Sequence, residues 1–192
     1  DARATLPVVH LFVGLLERTP PAVVEPPRPA ILIADFEGAD YGNWKVEGEA
    51  FGASPAKGTL PQQQRVDGFK GKGLVNTYLD GDAKHGKLTS PPFTIERKYI
   101  TFLIGGGDHA GKTCMNLLVD GKAVRTQAGT NSETLSACNW DVRELQGKPA
   151  VLEIVDAESG GWGHINIDHI EQRDVPPAEV AGSLAQPPVG EH

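Results

Sequence analysis

From Ile31 onward the apolar residues fall in short runs, many with polar residues at alternate positions, and each run gives way to Gly, Pro, Asn or Asp. Alternation of this kind turns one face of a strand toward a core and the other toward water. The predicted strands are ILIADFE (31–37), GLVNTYL (73–79), KLTSPPFTI (87–95), KYITFLIGG (98–106), TCMNLLVD (113–120), KAVRTQ (122–127), AVLEIVD (150–156) and HINIDHIEQ (164–172). NWDVRELQG (139–147) reads as a strand end followed by a single helical turn. Asp120-Gly121, between two of the runs, is a strong hairpin signal. Ile100, Phe102 and Ile104 share one face of their strand, with Tyr99, Thr101 and Leu103 on the other; Leu152, Ile154 and Asp156 likewise oppose Val151, Glu153 and Val155. Strands apolar on one side and mixed on the other predict an all-β fold, a sandwich of two antiparallel sheets packed face to face.

Two proline-rich stretches bound this unit. TPPAVVEPPRP (19–29) is a stiff tether, and DVPPAEVAGSLAQPPVGEH (174–192) has the same character. The expected organisation is an N-terminal tail and linker at 1–29, a β-sandwich at 30–173 and a C-terminal linker at 174–192. One core of about 100–150 residues accounts for such a chain. Linkers at both ends, and a first residue that is Asp1, suggest a module processed or cut from something longer. The apolar run LPVVHLFVGLL (6–16) contains Pro7 and His10 and falls short of the roughly 20 residues of a membrane span.

Charge narrows the partners. Lys+Arg 18 against Asp+Glu 25 gives a net charge of −7, without a basic run or an aromatic-basic stripe, so nucleic acid and anionic membrane are not expected. Cys114 and Cys138 are the two cysteines, and neither lies in a CxxC pair, which argues against a cysteine-held zinc or iron–sulfur centre. A disulfide and two small core residues fit them equally.

The sequence contains no GxSxG elbow, HExxH, P-loop or dinucleotide-binding GxGxxG. Gly105–Gly107 follow a strand but lead into another strand rather than a helix, which does not suit phosphate binding. The densest chemistry is ESGGWGHINIDHI (158–170). Along a strand, Trp162, His164, Asn166, Asp168 and Ile170 share a face, opposite Ile165, Ile167 and His169. Same-face neighbours sit about 6.6 Å apart, so His164 and Asp168 are about 13 Å from each other and cannot chelate one ion. Calcium instead collects oxygen ligands from segments distant in sequence. Asp35 and Glu37 share a face of the first strand and Asp168 lies in the last, so these three are the candidate ligands of a structural calcium; they fit equally as solvated carboxylates on polar faces. A sugar site needs an aromatic platform and planar polar groups. Trp162, between two glycines, either plugs a core edge or stands open to stack. With it we group His164, Asp108, His109, Arg125 and Asp156, polar residues at strand ends where a rigid sandwich carries its binding loops.

The ordered segments DFEGADYGNWKVEGEAFG (35–52), GFKGKGLVNTYLDGD (68–82), GKLTSPPFTIERKYITFLIGGG (86–107), KTCMNLLVDGKAVR (112–125) and GGWGHINIDHI (160–170) resemble the accessory β-sandwich domain attached to levanase-like, family 32 glycoside hydrolases and similar multidomain secreted bacterial proteins. The resemblance covers about residues 34–173. It implies a galactose-binding-like jelly roll that is not itself catalytic, holding a fructan or related glycan near a catalytic domain. The catalytic propeller of that hydrolase family, with its WMNDPNG-type motif, has no counterpart in these residues. The resemblance supplies no residue-level sugar site.

The expectation is therefore a secreted carbohydrate-binding module whose partners are a glycan and the other domains of its parent chain. Its rival is a structural or protein-interaction sandwich that spaces domains. A free-standing glycosidase is the weakest reading.

Overall fold

The computed structural model describes residues 27–176; the segments 1–26 and 177–192, which hold most of the expected tail and linkers, lie outside the described residues. Eleven strands follow in chain order. They are β1 (Ile31–Ala34), β2 (Lys45–Gly48), β3 (Val75–Asn76), β4 (Gly86–Thr89), β5 (Phe93–Thr94), β6 (Tyr99–Gly106), β7 (Thr113–Val119), β8 (Lys122–Ala128), β9 (Ser132–Asp141), β10 (Pro149–Asp156) and β11 (Ile165–Arg173). One sheet runs β1-β11-β6-β9, with β3 also paired to β11; the other runs β2-β4-β10-β7-β8, with β5 paired to β10. Every strand pairing is antiparallel. The protein is an all-β jelly-roll sandwich.

The core lies where alternation places it. Ile100, Phe102 and Ile104 of β6 and Ile165 and Ile167 of β11 meet Met115, Leu117 and Val119 of β7 and Leu152 and Ile154 of β10. The Asp120-Gly121 hairpin forms with both residues at positive φ, 52° and 74°, which matches the twist of the strands it joins. The short turn after β9 is a 3-10 helix, Arg143–Leu145.

Several strands are shorter than the pattern predicts, for local reasons. β1 stops at Ala34 because Phe36 takes a φ of 53°. Pro91 and Pro92 cannot donate to a ladder and divide the 87–95 run into β4 and β5. Of the 73–79 run, Val75 and Asn76 form the strand that pairs with β11, and Leu74 makes an isolated bridge to Ala56. In β11 a bulge falls between Asp168 and Glu171, with His169 at φ 47°. It turns Ile170 back into the core, so Ile170 does not share the face of His164 and Asp168 as strict alternation predicts.

A second, smaller core explains why polar residues on the outer face of β11 are buried. Val66, Leu74 and Leu135 cluster there, with Ala56, Phe69 and Leu103 against them, so the segment around residues 56–74 lies over that face of the sheet. His164, Asn166 and Asp168 sit beneath it, each at most 2% exposed. At the opposite end of the molecule, the Arg28 guanidinium forks onto both carboxylate oxygens of Asp174 at 2.7 and 2.8 Å, tying the two ends of the unit together.

Candidate glycan-binding site

Trp162 sits in the turn between β10 and β11, half-buried, with a φ of 62°. A bulky residue in left-handed backbone is strained and persists only when its surroundings hold it there. Here they do. Glu158 accepts the backbone amides of Ser159 and Gly160 at 3.0 and 3.1 Å and the Lys112 ammonium at 2.8 Å. These donors, the ammonium first, hold its carboxyl down at about 2. Ser159 meets His85 at 2.6 Å, the Gly161 carbonyl meets the His109 ring at 3.1 Å, and Gly163 N–H donates back to Gly160 at 2.9 Å. Two glycines permit the packing: a Cβ on Gly163 would press on the Glu158 and Gly160 carbonyls, and one on Gly107 would overlap the Trp162 carbonyl.

The indole stacks on the His164 ring, with centroids 5.7 Å apart and planes 26° from parallel; Tyr78 meets the same imidazole edge-on at 5.0 Å. Trp162, His164, Tyr78 and Asp82 line a cleft of about 220 Å³ together with Gln62, Gln64, Glu133 and Gly161. Gln62, like Trp162, is held at positive φ (65°).

A buried polar network supports this wall. His164 Nδ1 lies 2.7 Å from Asp82, and Nε2 lies 3.1 Å from Glu133 Oε1, close enough to pair but not aligned as a hydrogen bond. Burial opposes charge on the ring, but Glu133 and Asp82 together outweigh it and raise the His164 pKa above its ordinary value. Glu133 Oε2 accepts from Gln63 at 3.0 Å and from Asn166 at 2.8 Å, and Asn76 donates to Gln63 at 2.7 Å. Asp156, on the inward face of β10, is 1% exposed, and neither oxygen has a well-formed hydrogen bond. Burial pushes its pKa to about 7, and the Asp82 charge adds to this; the Thr77 hydroxyl, the Glu158 amide and His164 pull the other way.

The residues expected from sequence thus divide. Trp162 and His164 form the cleft wall, and Asp156 is coupled electrostatically to His164 and Asp82 from within the core. His109 braces the Trp162 turn. Asp108 is exposed, its amide donating to Asn131 at 2.8 Å, and it does not line the cleft. Arg125 belongs elsewhere: it is 8% exposed and donates to the Asp141 carbonyl at 2.7 Å, to the Val124 carbonyl at 2.8 Å and to Glu144. A bulge in the β7–β8 pairing beside Leu117, its partner, accompanies this inward placement. Gln62, Gln64, Tyr78, Asp82 and Glu133 are the lining residues that strand-end reasoning missed; the DGD turn at 80–82 and the QQQ run at 62–64 were the available signals.

The three candidate calcium ligands converge but are otherwise engaged. Glu37 Oε1 accepts the Lys72 and Gly73 amides at 2.7 and 2.8 Å, and Asp168 accepts the Lys70 and His169 amides, both at 2.7 Å. Asp35 caps the Glu37 amide at 3.2 Å, and the Lys57 ammonium lies 3.2 Å from the Gly38 carbonyl. Burial, then the charges of Glu37 and Asp35, push Asp168 to about 6. Among the described residues no group of three or more His, Cys, Asp or Glu is arranged to hold a metal ion. Asp168 ties the 70–73 loop to β11, and Glu37 ties it to the segment that follows β1. Cys114 and Cys138 are both free.

No family model matches the chain. Over 147 residues it is 46% identical to a protein of Aspergillus rugulosus provisionally named glycosyl hydrolase ecdE, an alignment that covers 75% of this chain and 21% of that protein. The chain thus spans about a fifth of the length of this curated relative. Among solved structures, a family 61 carbohydrate-binding module in complex with β-1,4-galactotriose superposes with a TM-score of 0.49 at 17% identity, covering 71% of this chain and 91% of that one. A cyclase from Fischerella sp. gives 0.47 at 13% identity, covering 75% and 96%. The K3 cleaved adhesin domain of Lys-gingipain from Porphyromonas gingivalis gives 0.45 at 13%, covering 76% and 99%.

Proposed function

We propose that this chain is a non-catalytic glycan-binding module and that its sugar lies in the Trp162 cleft. The observation that carries this reading is the strained Trp162, fixed by its turn and stacked on His164 beside Tyr78, Asp82, Gln62 and Gln64. An aromatic face edged by carboxylate and amide groups is complementary to a pyranose or furanose ring, whose faces are apolar and whose rim is hydroxylated. Asp82 and Glu133 both point to His164, and Glu133 is further committed to Gln63 and Asn166. Neither is the free acid or base that glycoside cleavage requires, which supports binding rather than turnover.

The similarity to one fifth of a protein named as a glycosyl hydrolase supports a module accessory to such an enzyme. On this reading it acts outside the cell, and the ordered segments that resemble the levanase-associated domain make fructans the first ligands to try. Isothermal titration against levan, inulin and a panel of β-glycans tests it. Heat with one of these, lost in Trp162→Ala while the melting temperature holds, is the expected result. Affinity unchanged in that variant would remove the site assignment, and silence with every glycan would leave the domain-spacing sandwich as the better account.

A further inference from the structure

Resting on the reading of this cleft as a glycan site, we infer that it accepts a single uncharged sugar unit and rejects uronic and sulfated sugars, with Asp82 as the specificity-determining group.

Charge makes the first part of the case. Asp82 and Glu133 line the cleft and none of the other lining residues is Lys or Arg. His164 is the one lining group that can carry positive charge, but it is 2% exposed and its two nitrogens face Asp82 and Glu133 at 2.7 and 3.1 Å. The ammonium groups on the neighbouring loops are also engaged, Lys84 with Asp80 at 2.6 Å and Lys112 with Glu158 at 2.8 Å. A carboxylate or sulfate on the ligand would therefore meet like charge with no lining Lys or Arg to offset it, and in a partly desolvated cleft such repulsion is stronger than in bulk water. A neutral sugar meets acceptors instead. One Asp82 oxygen takes His164 Nδ1, and a carboxylate keeps a second oxygen for a ligand hydroxyl. The exposed amides of Gln62 and Gln64 add donors and acceptors without adding charge.

Size makes the second part. The cleft measures about 220 Å³, below the roughly 300–1,000 Å³ of pockets that take drug-sized ligands. That is the bulk of one sugar ring with its hydroxyls and too little for two. Additional units of a chain would lie outside the Trp162 wall and add little.

Binding to the full chain should be measured at pH 7 for matched neutral and acidic monosaccharides, namely glucose and glucuronate, galactose and galacturonate, mannose and mannuronate, with fructose and neutral oligosaccharides alongside. The expected result is that at least one neutral monosaccharide binds, that its oligosaccharide binds within about five-fold, and that its uronate is at least ten-fold weaker. Added salt should narrow the neutral-to-uronate gap in the unaltered protein, because it screens the repulsion, and Asp82→Asn should narrow it further. Equal affinity for a sugar and its uronate, or a gap unchanged in Asp82→Asn, would overturn the charge assignment while leaving the glycan reading intact. Oligosaccharides binding thirty-fold tighter than any monosaccharide would overturn the single-unit assignment. Failure of every sugar, monomer or oligomer, would remove the underlying reading and this inference with it.

Discussion

The indole of Trp162 lies over the imidazole of His164 at a centroid separation of 5.7 Å, so a residue at φ 62° in an exposed turn is backed by one that is 2% exposed. The strained residue has a rigid support, and ligand binding need not first order it. The other tryptophans are placed differently: Trp44 packs on Phe36 at 5.5 Å, and Trp140 packs on Phe102 at 4.7 Å and is 2% exposed. A bound sugar should therefore change the emission of Trp162 and leave the other two untouched. In Trp162→Phe the sugar-dependent change should vanish; its persistence would place the ligand elsewhere.

Gly107 tests the support from the opposite side. Its Cβ position coincides with the Trp162 carbonyl and crowds His109 and Thr113, yet the residue does not line the cleft. Gly107→Ala should destabilise the protein by about 1–3 kcal/mol, the usual cost of overpacking, and weaken glycan binding by displacing the turn. Urea unfolding read beside a binding titration checks both, and intact affinity in a destabilised variant would mean the turn is not what positions Trp162.

The sandwich was legible because its core strands alternate cleanly: Ile100, Phe102 and Ile104, and Leu152 and Ile154, are buried as their pattern requires. Trp162, His164 and Asp156 were legible as a group because they flank one inter-strand turn. The rest of the lining was not. Gln62, Gln64, Tyr78 and Asp82 come from irregular segments whose position over β11 depends on the small core of Val66, Leu74 and Leu135, and no periodicity reports a loop folded across a sheet. Arg125 misled for a related reason. The β7–β8 bulge beside its partner Leu117 alters the register, and a shift of one residue exchanges the faces of a strand.

Arg125 should therefore behave as a structural residue. Arg125→Ala strands the Asp141 carbonyl and releases the 3-10 turn that Glu144 belongs to. A loss of about 1–3 kcal/mol is expected for buried hydrogen bonds left without a donor. Glycan affinity, measured where the variant remains folded, should match the unaltered protein; a selective loss of binding would return Arg125 to the site.

The carboxylates Asp35, Glu37 and Asp168 already satisfy backbone amides, and Lys57 supplies a positive charge beside Glu37. Chelator should accordingly leave the melting temperature unmoved. A fall of several degrees reversed by added calcium would show that the native state holds an ion, since an ion bound to the folded form alone must stabilise it.

Asp156 gives the chain a definite pH dependence. In the unfolded chain an aspartate titrates near 3.9, whereas burial raises it to about 7 in the fold. Between those values the native state retains a proton that the unfolded chain has released, so stability falls as pH climbs from about 4 to about 7 and stays low above that. His164 acts in the same direction. Its pKa is raised by Glu133 and Asp82 against the opposing effect of burial, so its contribution is complete below about 6.5 and is lost as pH rises through the folded value. Asp156→Asn removes the first effect and leaves the part of the second that Glu133 and Asp82 supply. At pH 8 the variant should be more stable than the unaltered protein by on the order of 2–4 kcal/mol, taking about 1.4 kcal/mol per pKa unit; at pH 4 the two should nearly coincide. Urea melts at both pH values decide it, and a difference between the two proteins that does not change with pH would mean that Asp156 ionises in the fold as readily as it does in water.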